Sequence, residues 1–145
     1  ATEARRLYLD TSALGALYIR EALSTAVAAA VGAAPPALSA LTEVEFASVV
    51  ARRLRERTMS AADGAMVLRT FDAHIADRHY IVLPIVAQTF VEAGRLLRSG
   101  AAPLSTLDAL HLAIAASNRE SLCTADRQLA RAAASFGVKV HLIRA

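Results

Sequence analysis

Arg6-Leu7-Tyr8-Leu9-Asp10-Thr11-Ser12-Ala13 passes from an apolar run to polar residues within eight positions. A short apolar run with Tyr8 at its centre stops at a carboxylate, Asp10, and two hydroxyls follow before a helical pattern begins. That order fits a buried strand over residues 7–9 that delivers Asp10 to its C-terminal tip. In open α/β sheets this tip borders the crevice where ligands bind.

Outward from this strand, apolar spacing and breakers predict the remaining elements. Helical segments are expected over residues 13–19 and 21–31, the second stopped by Gly32 and the Pro35-Pro36 pair. Residues 36–39 read as a short connection or strand. A helix follows over residues 42–57, with Val44, Ala47, Val50, Ala51 and Leu54 as its apolar stripe and Arg52, Arg53, Arg55 and Arg57 at its C-terminal end. Ser60, with Asp63 three residues on, caps a helix that ends near Arg78. Strands are expected over 80–83, 121–124 and 138–142, and helices over 85–98, 105–118 and 126–135. Phe46, Phe71, Phe90 and Phe136 fit core positions. The alternation argues for one α/β domain over residues 1–145, a mostly parallel sheet of about five strands flanked by helices on both faces. Right-handed crossovers put all strand C-termini on one edge.

Composition narrows the class. With 55% apolar and 20% charged residues the chain is globular and not disordered. The net charge of +3, carried almost wholly by arginine, suits a polyanion partner but is too small to demand one. Cys123 is the only cysteine, which excludes an internal disulfide. No stretch is long and apolar enough to span a membrane. Ala22 to Ala34 starts too late and follows the wrong charges for a signal peptide, so a cytoplasmic location is expected.

Asp10, Glu45, Asp108 and Asp126 recur at comparable junctions. Each has an ordinary explanation as a helix cap: Asp10 and Asp126 after strands, Glu45 in Thr42-x-x-Glu45, and Asp108 in Ser105-x-x-Asp108. Together they point elsewhere. Strand C-termini and the N-termini of the helices that follow share one edge, so the acids can converge there. Clustered anions repel, and such a group is stabilised by a cation. An all-oxygen set selects Mg²⁺ or Mn²⁺. Divalent ions so held suit phosphodiester hydrolysis.

The segments LDTSAL, LTEVEFASVV, STLDALHLAIA and CTADRQLARAA, which carry Asp10, Glu45, Asp108 and Asp126, resemble the PIN domain, and more narrowly the VapC ribonuclease toxins of bacterial toxin–antitoxin pairs. The resemblance covers nearly the whole chain in the right order. It implies a parallel α/β fold, an acidic Mg²⁺ or Mn²⁺ centre and cleavage of structured RNA, often transfer or ribosomal RNA. By position Asp10, Glu45, Asp108 and Asp126 match the family's acidic quartet. Ser12 matches its hydroxyl after the first acid, and Thr124 the hydroxyl two before the last. The same resemblance implies a homodimer silenced by a VapB-like antitoxin. Glu45, not Glu43, fits the family spacing before Phe46.

Other chemistry is weaker. His111, three after Asp108, can polarise a water or simply pack within its helix. His74 and His79 have poor metal spacing. There is no phosphate loop and no nucleophile elbow for a Ser12–His111 triad. The four arginines of residues 52–57, with Arg127 and Arg131, are candidates for RNA phosphates or for ordinary solvated faces. Two rival functions stand: a PIN nuclease of RNA processing or DNA flaps outside a toxin pair, and a non-enzymatic metal-binding regulator. The second lacks paired acids after the first strand.

Overall fold

The protein is described by a computed structural model over residues 6–19 and 22–144. The elements run β1 (Leu7–Leu9), α1 (Thr11–Tyr18), α2 (Ser24–Val31), β2 (Ala37–Ser39), α3 (Ala40–Arg55), α4 (Ala61–Ala76), β3 (Ile81–Leu83), α5 (Ala87–Ser99), α6 (Thr106–Ser117), β4 (Ser121–Thr124), α7 (Arg127–Ser135) and β5 (Val140–Leu142). All pairings are parallel, in the order β3-β2-β1-β4-β5. The mostly parallel sheet expected from the sequence is wholly parallel among the described residues.

Strand residues alternate between two cores, as the pleat requires. Tyr8, Ala37 and Leu122 face α5, α6 and α7, whereas Leu9, Leu38 and Cys123 face α1 to α4. Both sheet faces are therefore covered, which is why the strands read as short apolar runs. α6 is buried from Ala109 through Ala115. A helix enclosed in this way holds its polar side chains rigidly, and His111 is one of them.

Several expectations shift. The predicted start of the second helix at Glu21 lies outside the described residues; the helix is observed from Ser24. α3 begins at Ala40, not Thr42, because Ser39 caps it and donates its backbone N–H to Thr42 Oγ1 at 3.4 Å. Thr42-x-x-Glu45 is thus no capping box, and Glu45 lies in the second turn. The expected stripe of α3 is also turned away, except at Val50. Val44 is 69% exposed, while Thr42, Phe46 and Val50 are buried. Phe46 decides the rotation by packing its ring on Tyr18 and Phe71, with centroids at 5.4 and 4.9 Å. Phe90 is not a core residue but 60% exposed, on an outer face of α5 with Val91 and Leu97.

Helix ends fall into two kinds. α2, α5 and α7 are followed by Gly32, Gly100 and Gly137, with φ of +64°, +62° and +76°. α3, α4 and α6 turn through Arg57, Arg78 and Arg119 at φ of +57°, +59° and +54°. Each arginine closure is completed by a backbone bond across the last turn, such as Glu120 N–H to Ala115 O at 2.9 Å.

Candidate active site

The strand order reverses at β1, since β2 lies on one side of it and β4 on the other. This switch point leaves a crevice beyond the strand C-termini. Asp10 stands at the tip of β1 and is 5% exposed. One carboxylate oxygen accepts from the Ala13 backbone N–H at 3.0 Å and from the Ser12 hydroxyl at 2.7 Å. The other accepts from the Thr124 hydroxyl, across the β1–β4 seam, at 2.5 Å. Asp10 is therefore a helix cap, as its position after a strand suggests, and something more.

The two hydroxyls have their protons assigned by their other partners. Ser12 Oγ accepts from Ala125 N–H at 2.9 Å, and Thr124 Oγ1 accepts from Asp126 N–H at 3.0 Å. Each spends its single proton on Asp10. Ser12 and Thr124 thus fix the orientation of this carboxylate. Burial pushes the Asp10 pKa up, opposed by the bonds from Thr124, Ala13 and Ser12.

Glu45 reaches the crevice from α3, and its Oε1 lies 2.5 Å from His111 Nε2. His111 Nδ1 in turn lies 2.7 Å from the Tyr8 hydroxyl, which also meets Ser39 Oγ at 2.8 Å. Burial pushes the Tyr8 pKa up to about 12, so Tyr8 keeps its proton and donates it to Nδ1. The imidazole's own proton then faces Glu45. Burial raises the Glu45 carboxyl, but the hydrogen bond from His111 opposes this, and the group lies below the ordinary value. A continuous buried chain, Ser39–Tyr8–His111–Glu45, links the sheet to an acid of the crevice. Sequence reasoning weighed His111 and missed Tyr8, Ser39 and Thr42. The available signal was a tyrosine in a buried strand, whose hydroxyl must find a partner.

Asp108 is half-buried in the first turn of α6, where its backbone N–H donates to Ser105 Oγ at 3.1 Å. Burial pushes its pKa up, and the charges of Asp126 and Asp10 push it further. Asp108 therefore lies within electrostatic reach of both. Asp126 caps α7, its Oδ1 accepting from Gln128 N–H at 2.8 Å and Leu129 N–H at 3.2 Å. Among the described residues no three His, Cys, Asp or Glu side chains lie close enough together to hold a metal ion as they stand. The donor set nevertheless fits a hard divalent cation in kind. It is made of carboxylate oxygens, and the repulsion that raises Asp108 is what such an ion relieves.

No helix among the described residues is long and apolar enough to cross a membrane. No curated protein sequence matches the chain. Solved structures that share the fold include the following three. The sarcin-ricin loop cleaving toxin VapC20 of Mycobacterium tuberculosis matches with a TM-score of 0.65 and 18% identity over 87% of this chain and 94% of its own. FitAcB of Neisseria gonorrhoeae matches at 0.71 and 18%, covering 92% and 95%. PAE2754 of Pyrobaculum aerophilum matches at 0.65 and 21%, covering 94% and 83%. The PIN domain family model matches residues 7–135, a span that holds all four acids, and the chain belongs to the PIN domain family.

Proposed function

We propose that this protein is a metal-dependent endoribonuclease, the toxin of a toxin–antitoxin pair. The observation that carries the reading is Asp10: a buried carboxylate at the switch point of a PIN fold, oriented by three donors, with Asp108 in electrostatic reach. Asp10 and Asp108 would hold Mg²⁺ or Mn²⁺, with Glu45 and Asp126 completing the set. Bound there, a divalent ion supplies Lewis acidity toward a phosphodiester and lowers the pKa of an attacking water. The chain's own residues position these acids: Ser12 and Thr124 hold Asp10, and His111 holds Glu45. The likeness to a sarcin-ricin loop cleaving toxin supports structured RNA as the substrate.

The partners follow from the same reading. A VapB-like antitoxin holds the toxin silent. A second copy pairs with it through the outer face of α5 and the adjoining edge strand, where Val82, Val86, Phe90 and Val91 are exposed. Sedimentation of Phe90→Glu against the unaltered chain tests the dimer; a monomeric variant is expected.

The primary test is cleavage of total RNA with Mg²⁺ or Mn²⁺. Defined fragments are expected, and they vanish with EDTA and with Asp10→Asn. Identical behaviour of Asp10→Asn and the unaltered chain would sink the reading. A structured DNA flap assayed in parallel separates this function from that of a processing or flap nuclease.

A further inference from the structure

We infer that the trough between α1 and α3 is a nucleotide subsite, which seats the nucleoside next to the scissile phosphate and grips the following phosphate with Arg52. The inference rests on the nuclease reading and deepens it. The trough has a volume of about 470 Å³ and opens beside Glu45 and Ser12. α1 contributes Thr11, Gly15 and Ala16 to its walls, and α3 contributes Ser48, Val49 and Arg52. Glu45 and Arg52 are seven residues apart on one helix, so the trough is about 10 Å long at the helical rise.

Gly15 is the first reason to assign a ligand. A glycine within a helix weakens it relative to alanine. Such a glycine needs a cause, and among the described residues neither a positive φ nor packing supplies one: a Cβ built on Gly15 meets nothing within 4 Å. At Gly64 a Cβ would meet Leu54 at 3.0 Å, so packing explains it; Gly94 is as open as Gly15, and the trough at Gly15 is what sets that position apart. What a side chain at position 15 would occupy is the trough itself.

Charge is the second reason. Glu45 lies at one end of the trough, where a divalent ion would bring the scissile phosphate. Arg52 lies at the other, with no acid partner among the described residues. Between them the wall is uncharged, made by Gly15, Ala16, Ser48 and Val49. Phosphate, neutral nucleoside, phosphate is the repeat of a nucleic acid strand, and the trough matches it in order. Thr11 lines the same wall, and its hydroxyl helps to hold the Glu45 carboxyl below the ordinary value.

The experiment compares Gly15→Ala, Gly15→Leu and Arg52→Gln with the unaltered chain, using an RNA oligonucleotide that spans a cleavage site mapped in total RNA. Binding is measured in the Asp10→Asn background. Gly15→Leu is expected to lower kcat/KM at least about tenfold, mainly through KM, with a thermal midpoint no lower than that of the unaltered chain. Gly15→Ala gives a smaller loss in the same direction and a higher midpoint. Arg52→Gln reduces the slope of log affinity against log salt by about one, whereas the Gly15 variants leave the slope unchanged. If Gly15→Leu melts early, Gly15→Ala and Arg52→Gln decide. Unchanged kcat/KM in the Gly15 variants, with Asp10→Asn inactive, overturns the subsite and leaves the nuclease standing. Asp10→Asn cleaving like the unaltered chain overturns the nuclease first.

Discussion

The molecule holds two tyrosine–histidine pairs, and they differ at the far side of the imidazole. At the C-terminal edge of the sheet, Tyr8 bonds His111 Nδ1 at 2.7 Å and the ring's other nitrogen meets Glu45. At the opposite edge, Tyr18 bonds His74 Nδ1, also at 2.7 Å, but that ring stacks on His79 with centroids 4.7 Å apart. The Tyr18 hydroxyl also lies 2.5 Å from that of Tyr80. This second cluster lines a cavity of about 820 Å³ of mixed character, with Leu17, Met59 and Val67 on its apolar wall and Arg53 and Asp63 among its charged residues. The same pair of side chains therefore serves two purposes. Where the chain of bonds ends on a carboxylate in a crevice, it holds that carboxylate in place. Where it ends on another ring, it satisfies buried polar groups and fixes packing.

The two pairs should separate by experiment in how far their loss lowers cleavage. The largest effect belongs to the carboxylates: Asp10→Asn, or chelation of the metal, is expected to lower RNA cleavage by on the order of 10²–10³-fold in a gel assay. Next, His111→Leu should cost about 10–100-fold in cleavage and in Mn²⁺ affinity measured by EPR, because it frees Glu45. His111→Gln, which keeps a donor toward Glu45, should recover most of that loss. Tyr18→Phe and His74→Leu, at the other pair, should leave cleavage within about twofold and lower stability by roughly 1–2 kcal/mol in urea. A loss of cleavage there would erase the distinction drawn above. The smallest effect is in pH. Burial raises the Asp10 carboxyl in the folded protein, so its protonated form favours folding. That contribution is complete below the unfolded pKa and fades as pH rises through the folded value. Metal-free Asp10→Asn should therefore gain on the unaltered chain as pH rises from about 3 to 7, read from urea midpoints in EDTA.

Much of the site was legible because β1 announces it. A strand cut off by Asp10 and two hydroxyls has few other readings, and the later strands followed from runs bounded by glycine, proline and serine. Asp108 and Asp126 were placed by their helix starts, and both are found there. The α3 stripe was misread because spacing alone cannot choose between two apolar faces. Val44, Ala47, Ala51 and Leu54 keep helical period with Val50 as well as Phe46 does, and only the ring contacts of Phe46 settle the matter. Phe90 was misplaced for a related reason, since an apolar residue on an outer face looks like core until the neighbours are known. The Tyr8–His111–Glu45 chain joins residues from three distant segments, and periodicity carries no information about such contacts.

Arg57, Arg78 and Arg119 leave the protein with slack in its stability. An L-residue in the left-handed region is strained relative to glycine, by about 1 kcal/mol. Gly100, after α5, already takes the left-handed conformation with glycine, at φ +62° and ψ +12°. Glycine at positions 57, 78 and 119 should each raise the unfolding free energy by a few tenths to about 1 kcal/mol, visible as a modest rise in melting temperature. None of the three turns carries one of the acids. The fold thus has room to be hardened while its chemistry is left alone, and a stabilised background of that kind would tolerate harsher substitutions in the crevice than the natural chain does.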